Sequence, residues 1–300
     1  MALVGIAAAV SGALDAQPRF GARVDLVVVS AIVRDGGDNL VRALSQDDFE
    51  VLEDGRPVAV STFAEVNADA LAPQDDGRFI VLLLDNLVTD PTLTPRIKDI
   101  ARGFADRMGR GDVMSVVYLN GGSSTTTRSA TEVRAAIDRF KPFGTSLMGG
   151  LTARSHAMES VSGLAKQLAG VSHRRKVLVC IGPANVFNVQ LGDFDGKLDG
   201  AIGPTLRDTA RADMTTYVID PRGLQAKNVA SQLDGFARET GGVAFANVNV
   251  FAEAIDQVWQ ESGAYYLLGY EPAKRDDKRH TIEVRVKKGG LQVRARRTRG

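Results

Sequence analysis

Cysteine is almost absent. The 300 residues hold one, Cys180, which excludes a disulfide framework and any thiolate metal cluster, since both need several. Three histidines, His156, His173 and His280, lie far apart in the chain and leave little material for a zinc site. Excess charge is missing too: 37 Lys+Arg stand against 36 Asp+Glu, a net charge of +1, so the chain as a whole is no polyanion binder. Past the first residues, no segment approaches the roughly 18 uncharged apolar residues of a membrane-spanning helix. What is present, 44% hydrophobic and 24% charged residues, is an ordinary globular composition that excludes disorder and collagen. The length leaves room for about two domains.

Residues 2–14, ALVGIAAAVSGAL, form an uncharged apolar run of signal-peptide length, too short to span a bilayer. Small residues close it, and Ala16 before Gln17 is the expected cleavage point. Residues 1–16 are therefore read as a signal peptide and the chain as exported, periplasmic or extracellular. The basic segment that usually opens such signals is missing, and the competing reading is a buried first element. In an exported chain a lone Cys180 is expected to serve as a small buried hydrophobe.

Three blocks follow. Residues 20–66 read as strands: RVDLVVVSAIVR (23–34), then FEVLE (49–53) and RPVAVSTF (56–63) around Asp54-Gly55, which supplies the positive φ a two-residue hairpin turn requires. Residues 78–262 alternate strand runs (FIVLLLD, DVMSVVYL, KVLVCIG, TTYVID, GVAFAN) with helical patterns, and that order predicts βαβ units and a mainly parallel sheet. Residues 263–300 return to strands, AYYLLGY, TIEVRVK and LQVRARR. Each flanking block alone is a few strands with one apolar face, marginal in isolation. The expectation is one small β domain built from 20–66 and 263–300, with the α/β domain inserted between its halves.

The pieces RVDLVVVSAIVRD, LSQDDFEVLEDGRPVAVSTF, FIVLLLDN, TYVIDPRGL, ARETGGVAFAN and YYLLGYEP, with the ending IEVRVKKGGLQVRARR, resemble in order the bacterial von Willebrand factor A-related domain proteins, which are often exported. The resemblance implies a doubly wound α/β sheet of the von Willebrand A type, used for binding proteins rather than for catalysis. It also implies a Mg²⁺ site at the carboxyl end of the sheet, held by an Asp-x-Ser-x-Ser motif, a threonine and an aspartate. On this chain the motif is Asp85-x-Leu87-x-Thr89. Asp85 matches, Leu87 brings no oxygen, and Thr89 substitutes one hydroxyl for another. Thr145 stands in the second loop, and Ile181-Gly182-Pro183 offers no carboxylate in the third, with Asn185 and Asp193 further along. The resemblance thus gives a degenerate site of Asp85, Thr89 and Thr145, with no cofactor expected and any Mg²⁺ weakly held, because that ion demands a near-complete octahedron of oxygens. The partner-facing loops would be those of Asp85, Asn86, Thr145 and Ser146.

Other features invite blander readings. Arg110-Gly111-Asp112 spells an integrin ligand but falls where a helix gives way to a strand, a normal place for glycine. GDFDGKLDG (192–200) misses the calcium-loop spacing. Ser155 and His156 are neighbours on a helix, so their side chains diverge and cannot act as nucleophile and base. Tyr265, Tyr266 and Tyr270 are expected to be packing residues. Residues 274–300 carry eleven basic and three acidic groups. That excess either holds an anionic surface or discourages strand-edge pairing, and the second use is favoured. The combined reading is an exported, non-enzymatic, adhesion-type interaction module with an unidentified protein partner and no nucleic acid. An envelope scaffold docking through the β domain is the alternative, and a hydrolase using Asp85 and a metal the more distant one.

Overall fold

A computed structural model describes residues 26–68, 77–87, 89–121, 124–143, 150–171, 175–183, 201–226, 230–276 and 278–299. The expected signal peptide, Thr145, Ser146, Asn185, Asp193 and the 192–200 loop lie outside them.

A six-stranded sheet forms the centre of the α/β unit. Its strands are β5 (Phe79–Leu84), β6 (Val113–Tyr118), β7 (Thr125–Thr127), β8 (Lys176–Ile181), β9 (Met214–Ile219) and β10 (Ala244–Phe245), in the spatial order β10-β9-β8-β5-β6-β7. All neighbours are parallel except β7, which closes one edge antiparallel to β6. The run Phe79–Leu84 is apolar throughout because both of its faces are covered. Ile80, Leu82 and Leu84 pack against α1 (Thr94–Ala105), α2 (Ala130–Asp138) and α6 (Phe251–Gly263). Phe79, Val81 and Leu83 face α3 (Gly150–Leu168), α4 (Ile202–Arg211) and α5 (Ala230–Glu239). The sequence reading has no helix where α4 stands. Pro204 falls in the first turn of α4, where proline forfeits no hydrogen bond.

Two four-stranded antiparallel sheets make a second unit. One orders β13 (Gln292–Ala295), β1 (Val27–Arg34), β11 (Ala264–Tyr270) and β4 (Val60–Asn67). The other orders β14 (Thr298–Arg299), β12 (His280–Val286), β2 (Phe49–Glu53) and β3 (Arg56–Val58). Their facing residues, among them Val29, Val33, Phe49, Val51, Tyr266, Leu268, Tyr270 and Ile282, form one core. Asp54 and Gly55 both take positive φ, 50° and 74°, in the β2–β3 hairpin. The chain leaves this unit after β4 and returns as β11, and those two strands pair side by side, Asn67 opposite Ala264. Among the described residues no helix is long and apolar enough to cross a membrane.

The β unit sits against the amino end of the parallel sheet. Arg78, just before β5, is buried over the Trp259 ring at 4.4 Å and donates from Nε to Ser262 Oγ at 3.1 Å. Arg175, before β8, donates to the Glu261 carbonyl at 2.6 Å and lies 4.7 Å from the Tyr265 ring. Asp213, before β9, accepts from Ser30 Oγ. At the centre is the Glu261 carboxylate, fully buried at the end of α6. It accepts from Arg34 Nε and Nη2 (3.1 and 2.8 Å), Tyr217 Oη (2.8 Å), Gln257 Nε2 (3.0 Å) and Arg294 Nη2. Burial alone would raise the Glu261 pKa, but Arg294 and Arg34 outweigh it and hold the acid below its ordinary value.

Three arginines of the basic tail are tied into the protein itself. Arg294 pairs with Glu261. Arg296 donates to the Ala210 and Val28 carbonyls, and Arg299 pairs with buried Glu53. These side chains join segments of the protein to one another, and Arg294 also lines an open cleft. Tyr266 and Tyr270 are core residues, as their spacing suggests, and burial pushes the Tyr270 hydroxyl up to about 12.

Candidate functional site

In an open parallel sheet the strand order reverses at one place, and there the loops diverge and leave a crevice at the carboxyl ends. Here that place lies between β5 and β8. The backbone register continues one residue past both strands, with Asp85 N–H donating to the Ile181 carbonyl at 3.0 Å. Asp85 and Gly182 thus come face to face. A Cβ at 182 would lie 2.4 Å from the Asp85 Cβ, so glycine is what allows the approach.

The Asp85 carboxylate is buried, and its Oδ1 accepts from Leu87 N–H at 2.8 Å, closing a tight turn after β5. Its charge also acts on Cys180, whose thiol is pushed well above its ordinary pKa, first by burial and then by Asp85. Asn86 binds neighbouring loops together. Its Oδ1 accepts from Asn120 N–H at 2.7 Å and its carbonyl from Phe143 N–H at 2.8 Å. Leu87 turns into the core with Ala153 and Ala157. The Thr89 hydroxyl is buried and has no hydrogen-bond partner among the described residues.

The groups that the described residues bring to this edge fall short of an octahedral Mg²⁺ shell. The described residues offer the Asp85 carboxylate and the Thr89 hydroxyl, Leu87 packs into the core, and Ile181-Gly182-Pro183 brings no carboxylate. Asp220, at the end of β9, is neutralised by Arg222, which donates from Nε to Oδ1 at 3.0 Å and from Nη2 to Oδ2 at 2.6 Å. Among the described residues no group of three or more His, Cys, Asp or Glu could hold a metal.

The same edge carries apolar surface that the sequence reading missed. Phe143 is 77% exposed in the loop beyond α2, Leu224 51% in the loop after β9, and Val250 55% just before α6. Only Val28, at 37%, is a comparably exposed large apolar residue elsewhere among the described residues. The loops of Leu224 and Val250 touch: a Cβ on Gly223 would lie 3.1 Å from Asn249 Oδ1 and the Val248 carbonyl. Arg96 ties the first of them to α1 by donating to the Pro221 carbonyl at 2.9 Å. Beside them a groove of about 750 Å³ opens between α1 and α6, its walls including Leu93, Ile100 and Phe251. The available signal was large apolar residues in Pro- and Gly-containing loops, Pro142-Phe143-Gly144 beyond a helix and Pro221-Arg222-Gly223-Leu224 beyond a strand.

Two side chains named in the sequence are engaged otherwise than a catalytic or adhesive role would need. His156 Nε2 lies 3.1 Å from the Leu119 carbonyl. Asp112 of the Arg-Gly-Asp tripeptide is buried at the amino end of β6, accepting from Arg78 N–H and Gly109 N–H, both at 2.8 Å.

No family model matches the chain, and no curated protein matches it. Among solved structures it is similar to the human COPII-coat protein Sec24c, with TM-score 0.39 and 7% identity over 78% of this chain. The match spans 46% of Sec24c, less than half of it. It is also similar to the SpRpn10 VWA domain, with TM-score 0.39 and 9% identity over 60% of this chain and 94% of that one.

Proposed function

We propose that the chain is an exported, non-enzymatic interaction module of the von Willebrand A type, which presents the carboxyl edge of its parallel sheet to a protein partner without a tightly held metal. The observation that carries this reading is the placement of Phe143, Leu224 and Val250 on that edge, opposite the end occupied by the β unit. Six-residue strands put the two ends roughly 20 Å apart, so a partner at the edge meets no obstruction from the β unit. Exposed aromatic and aliphatic side chains on neighbouring loops are the usual anchors of protein interfaces. Asp85 and Asn86 serve the edge as scaffolding, ordering the loops through their backbone hydrogen bonds. Thr145 and Ser146 belong to the same partner-facing loops in this reading. Burial of Cys180 and the engagement of His156 support a binding role over a catalytic one.

The test is a partner capture from the native host with the wild-type chain and the Phe143→Ser/Leu224→Ser/Val250→Ser variant, each with Mg²⁺ and with chelator. Loss of the captured protein in the triple variant, with capture indifferent to chelator and retained by Val28→Ser, is the expected result. Capture that survives the triple variant, or that needs Mg²⁺, overturns the reading.

A further inference from the structure

We propose that the cleft between β1, β13 and the end of α5 is a binding site for a small oxyanion of the phosphate class. The cleft is about 310 Å³, at the small end for ligand pockets. Four arginines line it: Arg34 from β1, Arg238 from the end of α5, Arg294 from β13, and Arg297 just beyond. No lysine does. Planar guanidinium forks match two oxygens of a phosphate at once, which a lysine point charge does not.

Two of the four are held in place from behind. Arg34 and Arg294 are both fixed on the buried Glu261 carboxylate, with Arg34 Nη1 also reaching Asp38 and Arg294 Nε donating to the Gly241 carbonyl, so they offer a ligand positioned positive charge more than free forks. Arg297 is exposed, and its guanidinium has no partner among the described residues. Its backbone is fixed, because its N–H donates to the Glu239 carbonyl at 3.0 Å and its carbonyl accepts from Ile282 N–H at 2.7 Å. Arg238 stands exposed on another wall. Against these, Glu261 lies behind the cleft, and Asp38 stands at its rim, 3.5 Å from Arg34 Nη1, with its side chain 75% exposed. Among the described residues that line or back the cleft, four arginines thus face two carboxylates.

A small ligand fits this arrangement better than a polyanion. The other basic groups of the tail form no continuous track: Arg296 and Arg299 are turned inward, Arg285 pairs with Glu283 and Glu50, and Lys288 with Asp48. Because the walls come from both units, an occupant would bridge β13 to α5 and stabilise the junction by linkage.

The experiment is calorimetry of the full chain with inorganic phosphate, at ionic strength held constant with chloride. Binding that exceeds chloride is expected. Arg297→Ala should weaken it roughly fivefold and Asp38→Asn should tighten it roughly twofold. Both residues are exposed, so both variants should fold as the wild type, checked by circular dichroism. Phosphate no better than chloride, or binding unmoved by Arg297→Ala, overturns the proposal. So does binding to phosphatidylglycerol vesicles without response to free phosphate, which would make the surface a membrane contact. None of these outcomes depends on the carboxyl-edge interface, which lies at the opposite end of the sheet.

Discussion

Gly182 faces Asp85 so closely that a β-carbon built at 182 falls 2.4 Å from the Cβ of Asp85 and 3.0 Å from its Oδ2. The nearest clashing atom is the aspartate's own Cβ, which alanine would keep. Gly182→Ala should therefore destabilise the protein by about 1–3 kcal/mol, as overpacking does. Asp85→Gly in the same chain should recover part of the loss, and Asp85→Ala should not. Urea unfolding of the three variants checks this. Equal recovery by both would mean that the carboxylate, not the Cβ, is the obstacle.

Glu261 carries the junction between the units. Removing it would leave Arg34 and Arg294 facing each other in a buried space, and breaking a buried pair from one side costs about 3–5 kcal/mol. Glu261→Ala is expected to lower the urea midpoint accordingly. Arg285→Ala, which removes an exposed pair on the outer strand face, should cost no more than about 1 kcal/mol. Comparable losses would show that the network is not special.

His280 provides a pH signature. Its Nε2 lies 2.6 Å from Asp276 Oδ1 and its Nδ1 2.7 Å from Asp54 Oδ2. The hydrogen bond to Asp276 and then that to Asp54 raise its pKa, while both carboxyls are lowered in return. Because the folded pKa of His280 is raised, its contribution is fully present below the unfolded value of about 6.5 and is lost as pH rises through the folded one. The aspartates act in the opposite sense, contributing above their unfolded value of about 3.9 and losing it as pH falls through the lowered folded values. Stability should therefore decline from mildly acidic toward alkaline pH, and His280→Gln should flatten that limb. Urea midpoints at a series of pH values read it directly, and a limb unchanged by the substitution would assign the dependence elsewhere.

The alternation of strand runs with helical periods made the parallel sheet legible, because a run such as FIVLLL is apolar at every position only when both faces are buried. The Asp54-Gly55 hairpin was legible for an equally local reason. What escaped depended on distant partners. Arg294 on β13 and Arg296 just beyond it alternate as a solvent face would, and nothing nearby shows that Glu261 and the Ala210 carbonyl wait for them. The trace was in α6: Ala254, Val258 and Glu261 fall at helical spacing on the buried stripe, so a carboxylate stands where an apolar residue is expected. At the site, motif matching led to Asp85, Thr89 and Thr145, while the exposed Phe143, Leu224 and Val250 match no motif. Their proximity to the sheet's edge is a property of topology, not of spacing.

The last prediction concerns metal. Mg²⁺ releases water reluctantly and binds well only where several oxygens converge in octahedral array. At the end of β5 the described residues place one carboxylate and one hydroxyl, and Leu87 packs into the core and brings no oxygen. The Asp85 Oδ1 is already engaged by Leu87 N–H, so it orders the turn without an ion. Calorimetry with Mg²⁺, Mn²⁺ and Ca²⁺ is expected to give no binding at micromolar ion, and chelator should leave the thermal midpoint unmoved. Asp85→Asn keeps the turn's acceptor and should cost little stability, whereas Asp85→Ala loses that hydrogen bond and should cost about 1 kcal/mol. Micromolar affinity that disappears in Asp85→Asn would show that residues such as Thr145 or Asp193 complete the shell, and that the edge works through an ion after all.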